Sequence, residues 1–303
     1  MNNISVNTKS SMKANMKAHK IRISDLLIVL FMIIMICICL FPFINLIAVS
    51  MSSDNAIIRR EVYLLPVDFT LKSYEFVLAD KTIIRSLFFT IFLTILSTVV
   101  SMLATILCAY PLSQDNLKGK RIFNTIAIFT MYFAAGDIPN YINIKNLGLL
   151  DNIWSLVLPG CLSIYNMIIL KSFFKSLPVS LSESAQLDGA THFQVLTRII
   201  LPLSLPALAT LSLFYAVGRW NGFQDAMYYI KDTAKYTMQQ KLYYLISNQM
   251  SVDTQLENIH NIGVATESLK AAVIMFATVP ILIIYPWLQR YFISGTTLGA
   301  IKE

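Results

Sequence analysis

The 303-residue chain predicts an all-α integral membrane protein with six spanning helices and both termini on the cytoplasmic side. Three observations carry this. The chain is 56% hydrophobic, only 14% charged, and has a mean hydropathy of +0.62. Soluble domains carry roughly 25% charged residues. Uncharged runs span 26–53, 86–114, 122–136, 152–170, 199–218 and 271–289, and a spanning helix needs about 20 apolar residues. Lysine and arginine then set the orientation. Lys9, Lys13, Lys17, Lys20 and Arg22 lie in the N-terminal tail, Lys118, Lys120 and Arg121 follow the second span, and Lys171, Lys175 and Arg198 follow the fourth.

Residues 1–24 read as a polar cytoplasmic tail, and 25–303 as one six-helix membrane domain. Helix one covers about 26–49. Its apolar run is longer than the roughly 7–15 residues of a secretory signal core, so it reads as an uncleaved span. A large outer loop, 51–84, follows, with a short helix near Leu71–Ala79. Helix two covers about 85–110 and ends at Tyr110-Pro111. Helix three, about 122–136, is short; Asp137 sits near headgroup level and Pro139 closes the helix. The segment 138–151 mixes polar and apolar residues and should lie in the interface plane. Helix four, about 153–174, carries Pro159-Gly160, which should kink it. Helix five covers about 199–220, a second large outer loop covers 221–266, and helix six covers about 268–290. Cys37, Cys39, Cys108 and Cys161 all fall inside spans, where they read as small packing residues.

Between helices four and five lies a polar island, Pro178 to Pro202. Ser180 with Glu183, and Thr191 with Gln194, each fit a capping box. Asp188-Gly189 between them permits a turn, because glycine tolerates positive φ. Leu181, Ala185 and Asp188 should share one face of the first short helix. Small Ser184 and Ala185 would admit a close partner backbone. The result is a helix–turn–helix joined to two spans, able to turn a partner's motion into helix rotation. The competing reading is a well-capped inner loop with no partner.

Glu183-Ser184-Ala185, Gly189, Ile199, Leu201 and Pro202 together resemble the EAA signature of binding-protein-dependent ABC importer permeases. Phe173-Phe174 with Pro178, Ile138-Pro139, Asn146 to Asp151, Tyr215 to Asn221 and the ending from Tyr285-Pro286 to Lys302 resemble the maltose-permease type, in particular its lipo-oligosaccharide permease-like branch. Ser184 departs from the usual alanine, and Asp137 from an apolar residue or glycine. The resemblance implies the ABC type I importer permease fold and a coupling helix that docks on an ATPase subunit. It assigns that role to Glu183, Ser184, Ala185, Asp188, Gly189, His192, Phe193, Leu201 and Pro202. It also implies a second homologous permease subunit, two ATP-binding cassette subunits, an extracytoplasmic solute-binding protein and an oligosaccharide substrate. ATP and Mg would be bound by the partner ATPase, leaving this chain without a cofactor of its own.

Sugars are held by aromatic faces with amide and carboxylate hydrogen bonds in concave sites. Tyr215, Trp220 and Asn221 at the end of helix five, with Arg219, Gln224, Asp225 and Tyr228 around them, suit a pore mouth. So do Tyr132, Asp137 and Asn140 after helix three. An aromatic belt with a snorkelling arginine is the competing reading. No G-x-x-x-x-G-K-[ST] motif occurs, and the three histidines, His19, His192 and His260, stand apart without metal-ligand spacing. No catalytic cluster of an integral-membrane enzyme is visible, and no inverted repeat of a stand-alone transporter. Nor does a basic face alternate with aromatics as nucleic-acid binding requires.

Overall fold

The computed structural model describes residues 23–247 and 266–300. Tail residues 1–22 and loop residues 248–265, including His19 and His260, lie outside the described residues. Among the described residues, all regular structure is helical.

Helix α1 (Ile23–Ser50) is apolar and exposed along most of its length. Short helices α2 (Asp54–Ile58) and α3 (Lys72–Ala79) follow. Helix α4 (Lys81–Ser113) has 33 residues, roughly 50 Å at 1.5 Å per residue. Pro111 falls in its last turn without ending it. Apolar burial gives little drive between helices already in hydrocarbon, so close packing and hydrogen bonds must join them. Accordingly α4 carries a stripe of buried Ser86, Thr90, Ser97, Ser101 and Thr105. It packs on α8 and α12 through Met102, Ala109, Met167, Leu170, Ala207 and Leu211.

Helix α5 (Lys120–Tyr132) stops short of the expected 136, and Pro139 does not close it. Gly136, at φ +90°, instead starts a new helix, α6 (Asp137–Asn146), turned by 113°. Pro139 lies in the first turn of α6, where its missing amide has no helical partner to lose. The turn swings 137–146 sharply aside from the axis of α5.

The expected helix four is two helices, α7 (Trp154–Val157) and α8 (Ile164–Ser176). Pro159-Gly160 therefore breaks the element where a kink was expected; the Pro159 ring removes an amide and clashes with the preceding turn. Ser163 caps α8 through the Asn166 amide.

Helix α9 (Val179–Leu187) and α10 (His192–Val195) form the polar island. A π-helical turn at Leu196–Ile200 and the three-residue α11 (Leu201–Leu203) lead to α12 (Leu205–Trp220). The chain bends by 83° between His192–Leu203 and α12. The spanning part of helix five thus begins at Leu205, six residues later than expected. Pro202 and Pro206 bracket the bend at Ser204, and Pro206 fits the first turn of α12.

The loop expected after helix five contains α13 (Gln224–Tyr229), a 3₁₀ turn at Thr233–Lys235 and α14 (Met238–Ile246), capped by Thr237. Helix α15 (Thr266–Ala300) closes the chain. Among the described residues, helices α1, α4 and α15 are each long and apolar enough to cross a membrane, and the number is five if the bent α5–α6 and α10–α12 segments each count as one span.

Candidate functional site

Two regions bring the singled-out residues together, and α12 joins them. The first is the α9–α10 element. Pro178, with no side chain able to accept, occupies the cap position of α9, so Ser180 lies inside the helix and the expected Ser180–Glu183 box does not form. The second box does form: Thr191 Oγ1 accepts from the Gln194 amide at 3.3 Å, and Gln194 Oε1 accepts from the Thr191 amide at 2.8 Å. Between them α9 ends in a Schellman turn. The Ala190 amide donates to the Ala185 carbonyl at 2.9 Å, and the Gly189 amide to the Gln186 carbonyl at 3.0 Å. Gly189 sits at φ +84°, where a Cβ is penalised.

Glu183, Ser184, Asp188, Gly189, His192, Phe193 and Pro202 are exposed, whereas Ala185 and Leu201 pack against the core. Of the three residues expected on one side of α9, Leu181 and Asp188 are exposed and Ala185 is half-buried. The exposed apolar surface comes from Leu187, 89% accessible, and Phe193, 68% accessible, with Val179 and Leu181 beside them. Leu187 was missed from sequence, although a leucine directly before a polar turn was the available signal. A cavity of about 270 Å³ beside the element is lined by Glu183, Gln186 and His192, with Asp115 and Lys175 opposite. Hydrogen bonds from Lys120 and then Lys175 hold the Asp115 carboxyl below its ordinary range. Asp115 is fully solvated, and Lys120 lies 2.8 Å and Lys175 3.4 Å from its Oδ1.

The second region is a polar cavity of about 480 Å³ toward the other end of α12. Its wall combines Ser97 and Ser101 of α4, the α7–α8 break, Tyr215 and Arg219 of α12, and Asp225 of α13. Ionisable residues within membrane spans are costly and mark functional sites. Tyr215 shares a 2.7 Å hydrogen bond with Thr105, and its hydroxyl accepts from the Ser163 amide at 3.1 Å. Arg219 donates from Nη2 to Asp225 Oδ1 at 2.9 Å and from Nη1 to the Leu156 carbonyl at 3.0 Å.

Of the six pathway candidates only Tyr215 lines this cavity. Trp220 is buried on another face of α12, beside Thr94, Leu213 and Ile281. Asn221 is the exposed cap residue of α12. Tyr132 and Asn140 are exposed and away from the cavity. Asp137 accepts from Gln224 Nε2 at 2.9 Å and from the Tyr228 hydroxyl at 3.3 Å, forming a separate surface cluster. The cavity serines were missed from sequence. Their signal was the recurrence of Ser and Thr every three or four positions from Ser86 to Thr105.

A helical bundle with hydroxyls and an ion pair in the wall of an open cavity is thus joined, through a bent helix, to an exposed helix–turn–helix element. Residues 76–297 match the family of binding-protein-dependent transport system inner membrane components, and the chain belongs to that family. It is 38% identical over 284 residues to the polygalacturonan/rhamnogalacturonan transport system permease protein YtcP of Bacillus subtilis (strain 168), spanning 93% of this chain and 99% of that one. It is 39% identical over 281 residues to protein LplC of the same organism, spanning 93% and 95%. A solved bacterial ABC transporter involved in the import of the acidic polysaccharide alginate contains a chain 34% identical to this one. It superposes with a TM-score of 0.86 over 90% of this chain and 98% of that one. The fold is the type I ABC importer permease fold.

Proposed function

We propose that the chain is one half of the pore of an ATP-driven, binding-protein-dependent oligosaccharide importer in the bacterial cytoplasmic membrane. Residues 1–24 are its cytoplasmic tail, 25–303 its permease domain, 178–202 its coupling loop, and 51–84 and 221–266 its large outer loops. A second homologous permease completes the pore. Two ATPase subunits bind ATP and Mg and do the hydrolysis, and an extracytoplasmic binding protein delivers the sugar. The carbohydrate assignment draws its support from relatives whose names state polygalacturonan, rhamnogalacturonan and alginate.

The observation that carries the reading is continuity. The exposed α9–α10 element runs through the π turn and the 83° bend directly into α12, and α12 supplies Tyr215 and Arg219 to the polar cavity. ATPase closure would push the element, rotate α12 and change which side of the membrane the cavity faces. Glu183, Ser184, Ala185, Asp188, Gly189, His192, Phe193, Leu201 and Pro202 form or brace that element. Tyr215 belongs to the sugar pathway, Asp137 to its mouth, and Tyr132, Asn140, Trp220 and Asn221 to its surroundings.

The test is co-expression with the neighbouring permease and ATPase. A stable complex is expected, and Gly189→Asp should abolish uptake and ATPase coupling while membrane insertion stays intact. Normal uptake by that variant, or recovery of an active assembly without an ATPase, would overturn the reading.

A further inference from the structure

The break between α7 and α8 strips helical partners from backbone groups on both of its sides. In hydrocarbon such groups must find partners within the protein, each unmet one being costly. Both sides are met from a single helix. Arg219 of α12 donates from Nη1 to the Leu156 carbonyl at 3.0 Å, on the α7 side. The Ser163 amide, at the cap of α8, donates to the Tyr215 hydroxyl at 3.1 Å. Tyr215 and Arg219 are four residues apart, so they stand one above the other on the same face of α12. Each is anchored from behind. Tyr215 is tied to Thr105 of α4 at 2.7 Å, and Arg219 to Asp225 of α13. The Arg219 side chain is only 8% exposed, which leaves the guanidinium little freedom to let go of the break.

We propose that Tyr215 and Arg219 are positioning residues that splint the α7–α8 break to α12. The wall of the polar cavity formed by Leu156, Pro159, Gly160 and Ser163 then moves with α12 as one body. This rests on the reading of the chain as a coupled permease and extends it. The α9–α10 element moves α12, and α12 carries the broken span with it, so the cavity changes shape without any direct contact between the ATPase and α7 or α8. It also gives Tyr215 a different task from contacting sugar. Its hydroxyl is engaged by Thr105 and the Ser163 amide.

The experiment uses the complex with the second permease and ATPase, carrying Gly160→Cys. No atom lies within 4 Å of a Cβ at Gly160, so the thiol fits. Its maleimide alkylation is followed by site-resolved mass spectrometry, without nucleotide and with ATP plus vanadate. The rate should change about fivefold between the two states, as expected for a modest shift between two conformations. Tyr215→Phe frees the Ser163 amide and should reduce that change below about twofold. Thr105→Val removes the same Thr105–Tyr215 bond but keeps Ser163 on Tyr215, and should retain most of the change. Equal loss in the two variants would assign the effect to packing alone and overturn the proposal. So would a Tyr215→Phe complex that keeps the full nucleotide response while its half-saturating sugar concentration rises. A complex that hydrolyses ATP but shows no response at Gly160→Cys defeats the splint and leaves the permease reading standing. Failure to recover any ATPase defeats both.

Discussion

Arg219 and Asp225 hold each other across the end of α12 in a two-pronged ion pair, with Arg219 Nη2 2.9 Å from Asp225 Oδ1. The arginine side chain is nearly enclosed and the aspartate one-third exposed. Their strength therefore falls between that of exposed pairs, near 0–1 kcal/mol, and that of fully buried ones. Breaking a buried pair costs about 3–5 kcal/mol because it leaves a bare charge.

Arg219→Met should accordingly destabilise the protein by about 2 kcal/mol, since it leaves Asp225 unpaired and the Leu156 carbonyl without its donor. Asp225→Asn, which keeps an acceptor beside the guanidinium, should cost less. The Arg219→Met/Asp225→Leu double variant should cost less than the sum of the single changes. Denaturation midpoints of the purified protein in one detergent measure all three.

Much of this was legible in the residues. The spans follow from uncharged runs, and the Thr191–Gln194 box and the Gly189 turn follow from local chemistry that tertiary packing does not contest. The misreadings share a cause. Pro139 was read as a helix end and Pro159 as a kink, yet Pro139 enters the first turn of a new helix and Pro159 breaks its element outright. Which role a proline takes depends on whether neighbouring helices can satisfy the freed backbone. At Pro159 they can, through Arg219 and Tyr215, which lie some sixty residues further along the chain. The Ser180–Glu183 pattern failed for a local reason, because Pro178 places the helix start two residues earlier than the box requires. The polar cavity was only half visible. Tyr215 and Arg219 drew notice as side chains able to meet sugar, but the α4 serines gained meaning only once α4, α8 and α12 were seen to pack together.

The two expected caps give opposite forecasts. Thr191→Ala removes the acceptor of the Gln194 amide and should cost about 1 kcal/mol locally. It should raise hydrogen exchange across residues 191–196 and weaken coupling of ATP hydrolysis to uptake. Ser180→Ala removes no cap, since Pro178 precedes α9. It should leave exchange and coupling unchanged, as peptide-resolved exchange on the two variants would show.

Asp151 supplies a pH forecast. Its Oδ1 accepts from the amides of Lys231, and of Asp232 at 3.0 Å. These bonds, the one from Lys231 foremost, hold the carboxyl below its ordinary value of 3.8. A carboxyl lowered in the folded state stabilises the fold at pH above that ordinary value, and the contribution fades as pH falls through the lower native value. The group is half-buried at the surface, so the effect is local. Protection from exchange at residues 230–235, relative to the intrinsic rate, should fall on acidification from roughly pH 5 to pH 3. Asp151→Asn should lower it already at neutral pH and flatten that acid dependence.

Gly189 separates turn geometry from docking. Its φ of +84° ends α9, and no atom of the chain lies within 4 Å of a Cβ built there. Any cost of a side chain within this subunit is therefore backbone strain, about 1–2 kcal/mol for alanine. Asparagine adopts this conformation more readily and should preserve the Ala190–Ala185 hydrogen bond. If the turn alone matters, Gly189→Asn should keep ATP-driven uptake near the unaltered level while Gly189→Ala loses part of it. If the ATPase approaches this backbone closely, both should lose uptake, and asparagine the more because its side chain is larger. Exchange protection of the Ala190 amide, measured beside uptake, decides between the two, since only close approach lets uptake fail with the turn intact.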